Sequence, residues 1–157
     1  MVDDNRIAQI ALDEQSVIRR SPQVEHERKV AIFDLLDENE FALTSGVTGP
    51  YSLHLGMEEN RLIFDIRQED DTPIERFGLP VKVFRRVVKD YFMICDSYFE
   101  AIKTKTPSQI EAIDMARRGL HNEGAEILQD RMAEDVGMDR PTARRLFTLV
   151  CVLHIRA

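Results

Sequence analysis

The sequence predicts an α+β domain, a small and mainly antiparallel sheet with an N-terminal helix and three long C-terminal helices packed on it. Three observations carry this. Short stretches of alternating apolar and polar residues fill the first half of the chain. From Pro80 onward the apolar residues instead step by three and four. The 157 residues are enough for one domain, expected to span 1–157, around a single core that needs neither disulfides nor a structural metal.

The elements follow in order. Ile7 to Leu12 reads as a first strand. Ser21-Pro22 supplies an N-cap and a first-turn proline, and Val24, Ala31, Ile32, Leu35 and Leu36 recur at helical spacing to about Glu38. Val30 and Phe33 widen that helix's apolar surface, so its middle is expected to be covered on two sides. Phe41-Ala42-Leu43 is a short apolar run ending in the clearest loop of the chain, Thr44 to Pro50. Tyr51, Leu53, Leu55 and Met57 alternate with polar or small residues, as do Leu62, Phe64 and Ile66 across a Glu58-Glu59-Asn60 turn, which predicts a β-hairpin. An acidic turn at Glu69-Asp70-Asp71 leads to one more strand around Ile74 to Phe77.

Helices occupy the rest. Val81, Phe84, Val88, Tyr91, Cys95, Tyr98 and Ile102 form one stripe of a helix of about 25 residues, or about 38 Å. Thr106-Pro107-Ser108-Gln109 matches the capping box and opens a second helix, running through Gly119 and Gly124 to about Glu134. Gly137 is expected to end it. Asp139 and Pro141 open the last helix, with Ala143, Leu146, Phe147, Val150 and Leu153 facing inward.

Composition limits the function classes. The net charge of −7 argues against a broad nucleic-acid surface. No run approaches the roughly 20 apolar residues of a bilayer span, and no targeting segment is visible, so a soluble cytoplasmic protein is expected. Cys95 and Cys151 lie in apolar runs and read as reduced, buried small hydrophobes. The four histidines are scattered without metal-ligand spacing, so neither a metal nor a cofactor is expected.

The arginines are the outstanding feature: 16 of the 21 basic residues, with four adjacent pairs. Arg19-Arg20, Arg85-Arg86 and Arg144-Arg145 fall at or near helix starts, where the macrodipole disfavours cations. Acidic side chains or a bound anion must neutralise them. Lys82, Arg85, Arg86 and Lys89 crowd the start of the long helix, and pairing with Glu69, Asp70, Asp71 or Glu75 is the structural alternative to an anion site. Arg117-Arg118-Gly119-Leu120-His121-Asn122-Glu123-Gly124 is the richest polar cluster, in which Asp114, Arg118 and His121 share a helix stripe and Asp114 pairs with Arg118.

Several stretches also carry a family resemblance. These are Ile18 to Pro22 with Val24 to Arg28, Gly49 to Leu55, Glu59 to Ile66, Phe84 to Cys95, Thr106 to Gly124, and Thr142 to His154. Together they resemble uncharacterised protein family two-six-two of the UPF series, over nearly the whole chain. The resemblance implies a single-domain soluble bacterial protein and brings no catalytic or binding residues.

The residues therefore carry the functional expectation. It is a non-enzymatic binding or regulatory protein that docks a protein partner or a phosphorylated small molecule through Arg85, Arg86, Lys89, Arg117, Arg118, His121, Arg144 and Arg145. At least two of the three arginine pairs in this set are expected to share one anion. The alternative is a small enzyme on an anionic substrate, with His121 as acid/base and Arg117 or Arg118 stabilising charge. RNA association through an arginine patch is a third reading. Self-association as a two-fold dimer is expected from the wide apolar surface of the Val81 to Ile102 helix.

Overall fold

The computed structural model describes residues 4–13 and 22–153, with backbone alone at 22–24. Arg19-Arg20 and the Ser21 cap lie outside these residues. A four-stranded sheet has the order β1-β3-β4-β5, from β1 (Ile7–Leu12), β3 (Tyr51–Glu58), β4 (Arg61–Gln68) and β5 (Pro73–Pro80). β3 pairs antiparallel with β4, and β4 with β5, while β1 joins β3 in parallel. The parallel pairing follows from α1 (Pro22–Asp37) and the short β2 (Phe41–Leu43), which carry the chain back to the end where β1 began.

The expected alternation holds through the hairpin, except that Ser52 is also buried and Met57 only half-buried. Leu53 and Leu55 face Ile66 and Phe64 in the hairpin register, and all four are buried. The other face carries the cross-strand row His54, Asp65 and Arg76. β5 is longer than the sequence suggests and runs to Pro80. A 3-10 turn at Val81–Val83 then precedes α2 (Arg85–Thr104). The long helix is therefore 20 residues rather than about 25, because β-pairing of Leu79 with Leu62 and of Pro80 with Arg61 claims the approach to its expected start. Its stripe is buried at Val87, Val88, Tyr91 and Cys95, half-buried at Tyr98, and 51% exposed at Ile102.

α3 (Pro107–Met132) is one continuous helix of 26 residues, and its capping box is complete: Gln109 N–H donates to Thr106 Oγ1, and Thr106 N–H donates to Gln109 Oε1. Gly137 does not simply end it. Val136–Met138 forms β6, paired antiparallel with β2, Phe41 opposite Met138 and Leu43 opposite Val136. Three-residue strands give almost no periodic signal, so pairing rather than pattern defines this clip.

The clip sets α4 (Arg140–Leu153) against the end of α1. Asp139 Oδ1 caps the Thr142 N–H, and Thr142 Oγ1 accepts the Glu40 N–H. Asn39 ties in β1: its side chain accepts from Ile7 N–H and donates to the carbonyls of Ile7 and Leu35. One apolar cluster joins sheet and helices, including Phe64, Tyr91, Leu128 and Phe147. α1 is covered on one side only: Ala31 and Leu35 are buried, whereas Val30, Phe33 and Leu36 are 41%, 71% and 39% exposed. The expected cover on two sides is not present among the described residues.

Candidate functional site

α1, α3 and α4 line a half-open cavity of about 230 Å³. Its α4 wall carries Arg144 and Arg145, one helical turn beyond the capped start; α3 contributes His121; and α1 contributes Glu27 and Asp34. Glu27, Val30, Ala31 and Asp34 recur at three and four residues, so one face of α1 lines the cavity.

The environment of His121 is mostly apolar. Its ring lies 4.8 Å from that of Tyr91 and 6.1 Å from that of Phe147, centroid to centroid. Burial, reinforced by the positive charges of Arg117 and Arg144, lowers its pKa to about 4, so the ring is neutral at pH 7. His121 Nε2 and Arg144 Nε are both buried without a hydrogen-bond partner. Arg145 instead donates to the Glu38 carbonyl at 2.8 Å. Thr148 Oγ1 donates to the Arg144 carbonyl and is not turned toward a base.

The remaining predicted site residues are held elsewhere. Arg117 donates twice to Asp114 Oδ1, at 3.2 and 2.8 Å, lies 3.8 Å from Glu27, and covers the Tyr98 ring at 5.2 Å. It reaches the rim of the cavity through Glu27. Arg118 makes the expected pair with Asp114 at 3.0 Å. The hydrogen bond from Arg117, followed by the charges of both arginines, holds Asp114 below the usual carboxylate range. Arg86 pairs with Asp90 at 3.1 Å and with Glu123 of α3, not with the acidic turn or Glu75. Asp71 of that turn instead approaches His54 and Arg67. Arg85 and Lys89 are exposed on α2 and do not line the cavity.

The structure thus brings His121, Arg144 and Arg145 together, with Arg117 beside them, and leaves Arg85, Arg86, Lys89 and Arg118 apart. Glu27 and Asp34 are not among the site residues expected from the sequence. Their spacing of seven on one helix face was the available signal.

Gly124, at the end of the same polar cluster, serves packing. A Cβ there would stand 2.4 Å from the Phe147 ring. A second cavity of about 260 Å³ lies on the polar face of the sheet. Its charges satisfy one another: Arg67 pairs with Asp65, and Arg76 with Glu58. Ser52 Oγ and Asp71 Oδ1 each approach His54 Nε2, both at 3.4 Å. A Ser–His–Asp relay uses two different ring nitrogens, so this is not a catalytic triad. Among the described residues there is no cluster of three or more His, Cys, Asp or Glu placed to hold a metal, and no helix long and apolar enough to cross a membrane.

Comparison with known proteins agrees with the family resemblance. The model of an uncharacterised protein family, UPF0262, matches residues 4–156. The chain belongs to the UPF0262 family. A UPF0262 protein of Paramagnetospirillum magneticum is 59% identical over 151 residues, covering 96% of each chain. One of Rhodospirillum rubrum is 57% identical over 154 residues, covering 98% of this chain and 95% of its own. One of Rhodopseudomonas palustris is 56% identical, again over 154 residues, covering 97% and 94%. The match thus spans nearly the whole of each of these bacterial UPF0262 relatives, and no solved structure matches the chain.

Proposed function

We propose that this UPF0262 protein is a non-enzymatic cytoplasmic binding protein that takes the anionic group of a small phosphorylated ligand into the α1–α3–α4 cavity. The observation that carries the reading is the pair of buried, unpartnered nitrogens, Arg144 Nε and His121 Nε2, on residues lining one cavity. A buried polar group left unsatisfied costs about 1–3 kcal/mol, and ligand oxygens that accept from these donors recover it. Arg144 supplies the charge, Arg145 is braced by the Glu38 carbonyl, and a neutral His121 donates from Nε2 in one tautomer. The volume, below the 300–1,000 Å³ of drug-sized sites, admits only a small molecule.

Binding is favoured over catalysis for two reasons. A ring whose pKa is lowered to about 4 is a weak base at neutral pH. Arg117 and Arg118, the expected charge stabilisers, are already engaged by Asp114. The test is thermal melting in phosphate. Ligand at a hundred times its dissociation constant adds about 2.7 kcal/mol. Arg144→Gln should abolish this gain, whereas the double variant R85Q/R86Q should keep it. A phosphate response lost in R85Q/R86Q and retained in Arg144→Gln would move the site to α2.

Self-association belongs to the same reading. Met93 is 60% exposed between basic Arg85 and Lys89 on one side and acidic Asp96 and Glu100 on the other. Beside it is an open groove lined by Ile94, Ala116, Gly119 and Leu120. A second copy related by a two-fold axis at Met93 runs its α2 antiparallel, so the basic half of each helix meets the acidic half of the other.

A further inference from the structure

Resting on that reading of the cavity, we infer that its ligand is a small zwitterion, an anionic group held by Arg144 joined to an ammonium group held by Asp34. The charges around the cavity lead to this. A site for a purely anionic ligand is expected to present cations and donors alone, yet α1 adds two carboxylates, Glu27 and Asp34, to the lining that holds the two arginines of α4. Glu27 has its own partner, because the Arg117 guanidinium stands 3.8 Å from it. Asp34 does not: among the described residues neither Asp34 nor Arg144 has an ion-pair partner within 4.0 Å, although both line this one cavity. Had the two formed a structural clamp, they would have paired directly across it. Instead the cavity holds one carboxylate without an ion pair, Asp34, and two such guanidiniums, of which Arg145 is occupied by the Glu38 carbonyl and Arg144 is not.

A pure anion entering here meets repulsion from Asp34, and a pure cation meets repulsion from Arg144. A molecule bearing both charges at its two ends is attracted at each end. Selectivity then comes from the penalty against molecules missing one charge, since either omission leaves a half-buried protein charge facing the wrong partner. The same lining includes the apolar Val30, Ala31 and Pro141, which suits a short aliphatic spacer.

Matched probes test this. Phosphoethanolamine and ethyl phosphate differ in one ammonium group and little else. Calorimetric titration of the wild-type protein should give at least tenfold tighter binding of phosphoethanolamine. In Asp34→Asn that preference should collapse, with phosphoethanolamine falling to the level of ethyl phosphate and ethyl phosphate holding or gaining. Asp34→Asn keeps the side chain's size, and its melting temperature reports whether it folds. Ethyl phosphate binding as well as phosphoethanolamine, or a preference that survives in Asp34→Asn, overturns the zwitterion inference and leaves the anion site standing. Neither probe binding at millimolar concentration overturns both.

Discussion

Gly124 lies directly against the Phe147 ring, with no room for a methyl group between α3 and α4. The contact brings α3 close enough for Phe147 to reach both Tyr91 and His121. Packing at one glycine thus bears on the core and on the ring that Phe147 sets beside His121. Gly124→Ala should destabilise the fold by about 1–3 kcal/mol, the range for overpacking, read as a lower urea midpoint. Gly119, on the same helix, faces open space. There Gly119→Ala should stabilise, by up to about 1 kcal/mol, through helix propensity alone. Equal effects at the two positions would contradict this packing.

The buried histidine makes stability depend on pH with a definite sign. His121 is neutral in the fold down to about pH 4, whereas the unfolded chain protonates it near 6.5. Between these values the unfolded state binds more protons, so stability rises with pH. The contribution is complete above about pH 6.5 and is lost as pH falls toward 4, by roughly 3 kcal/mol. Arg117, Arg144, Glu27, Asp34 and Tyr91 also face this region, so the test is a difference. Urea midpoints at pH 7 and 4.5 should fall more for the wild type than for His121→Phe. Parallel losses would mean the ring is solvated.

Truncations along α2 should not be equivalent. Tyr91 is 2% exposed in the core, whereas Tyr98 is half-buried beneath Arg117. Tyr91→Ala should cost about 3–5 kcal/mol, as for other fully buried aromatics. Tyr98→Ala should cost clearly less, about 1–2 kcal/mol, chiefly the ring's packing and its cation–π contact. Denaturation midpoints of the two variants check the order.

Self-association through α2 predicts charge dependence. Sedimentation at micromolar concentration should give a dimer of the 18.1 kDa chain, and Met93→Glu should return it to monomer. An 18.1 kDa species at every concentration would contradict the pairing about Met93.

The sequence was most legible where one periodicity ran long. The alternation of Leu53 and Leu55 with Ser52 and His54, and the Thr106 to Gln109 capping box, specify their elements locally. β6 was hidden because three residues carry no period, and the start of α2 shifted because β-pairing of Pro80 is a tertiary fact. The site was half legible. His121, Arg144 and Arg145 stood out by residue type, but their convergence depends on the β2–β6 clip and on Gly124 drawing α3 onto α4. Of the two acidic partners of Arg86, Asp90 lies one turn on in the same helix, whereas Glu123 comes from a helix that only folding brings near.

The ring pKa of His121, followed by NMR with and without phosphate, tests the anion site most directly. The account predicts a value near 4 in the free protein. Phosphate in the cavity should favour the imidazolium and raise that value, an increase that Arg144→Gln removes. A His121 that titrates near 6.5 and does not respond to saturating phosphate would contradict the site.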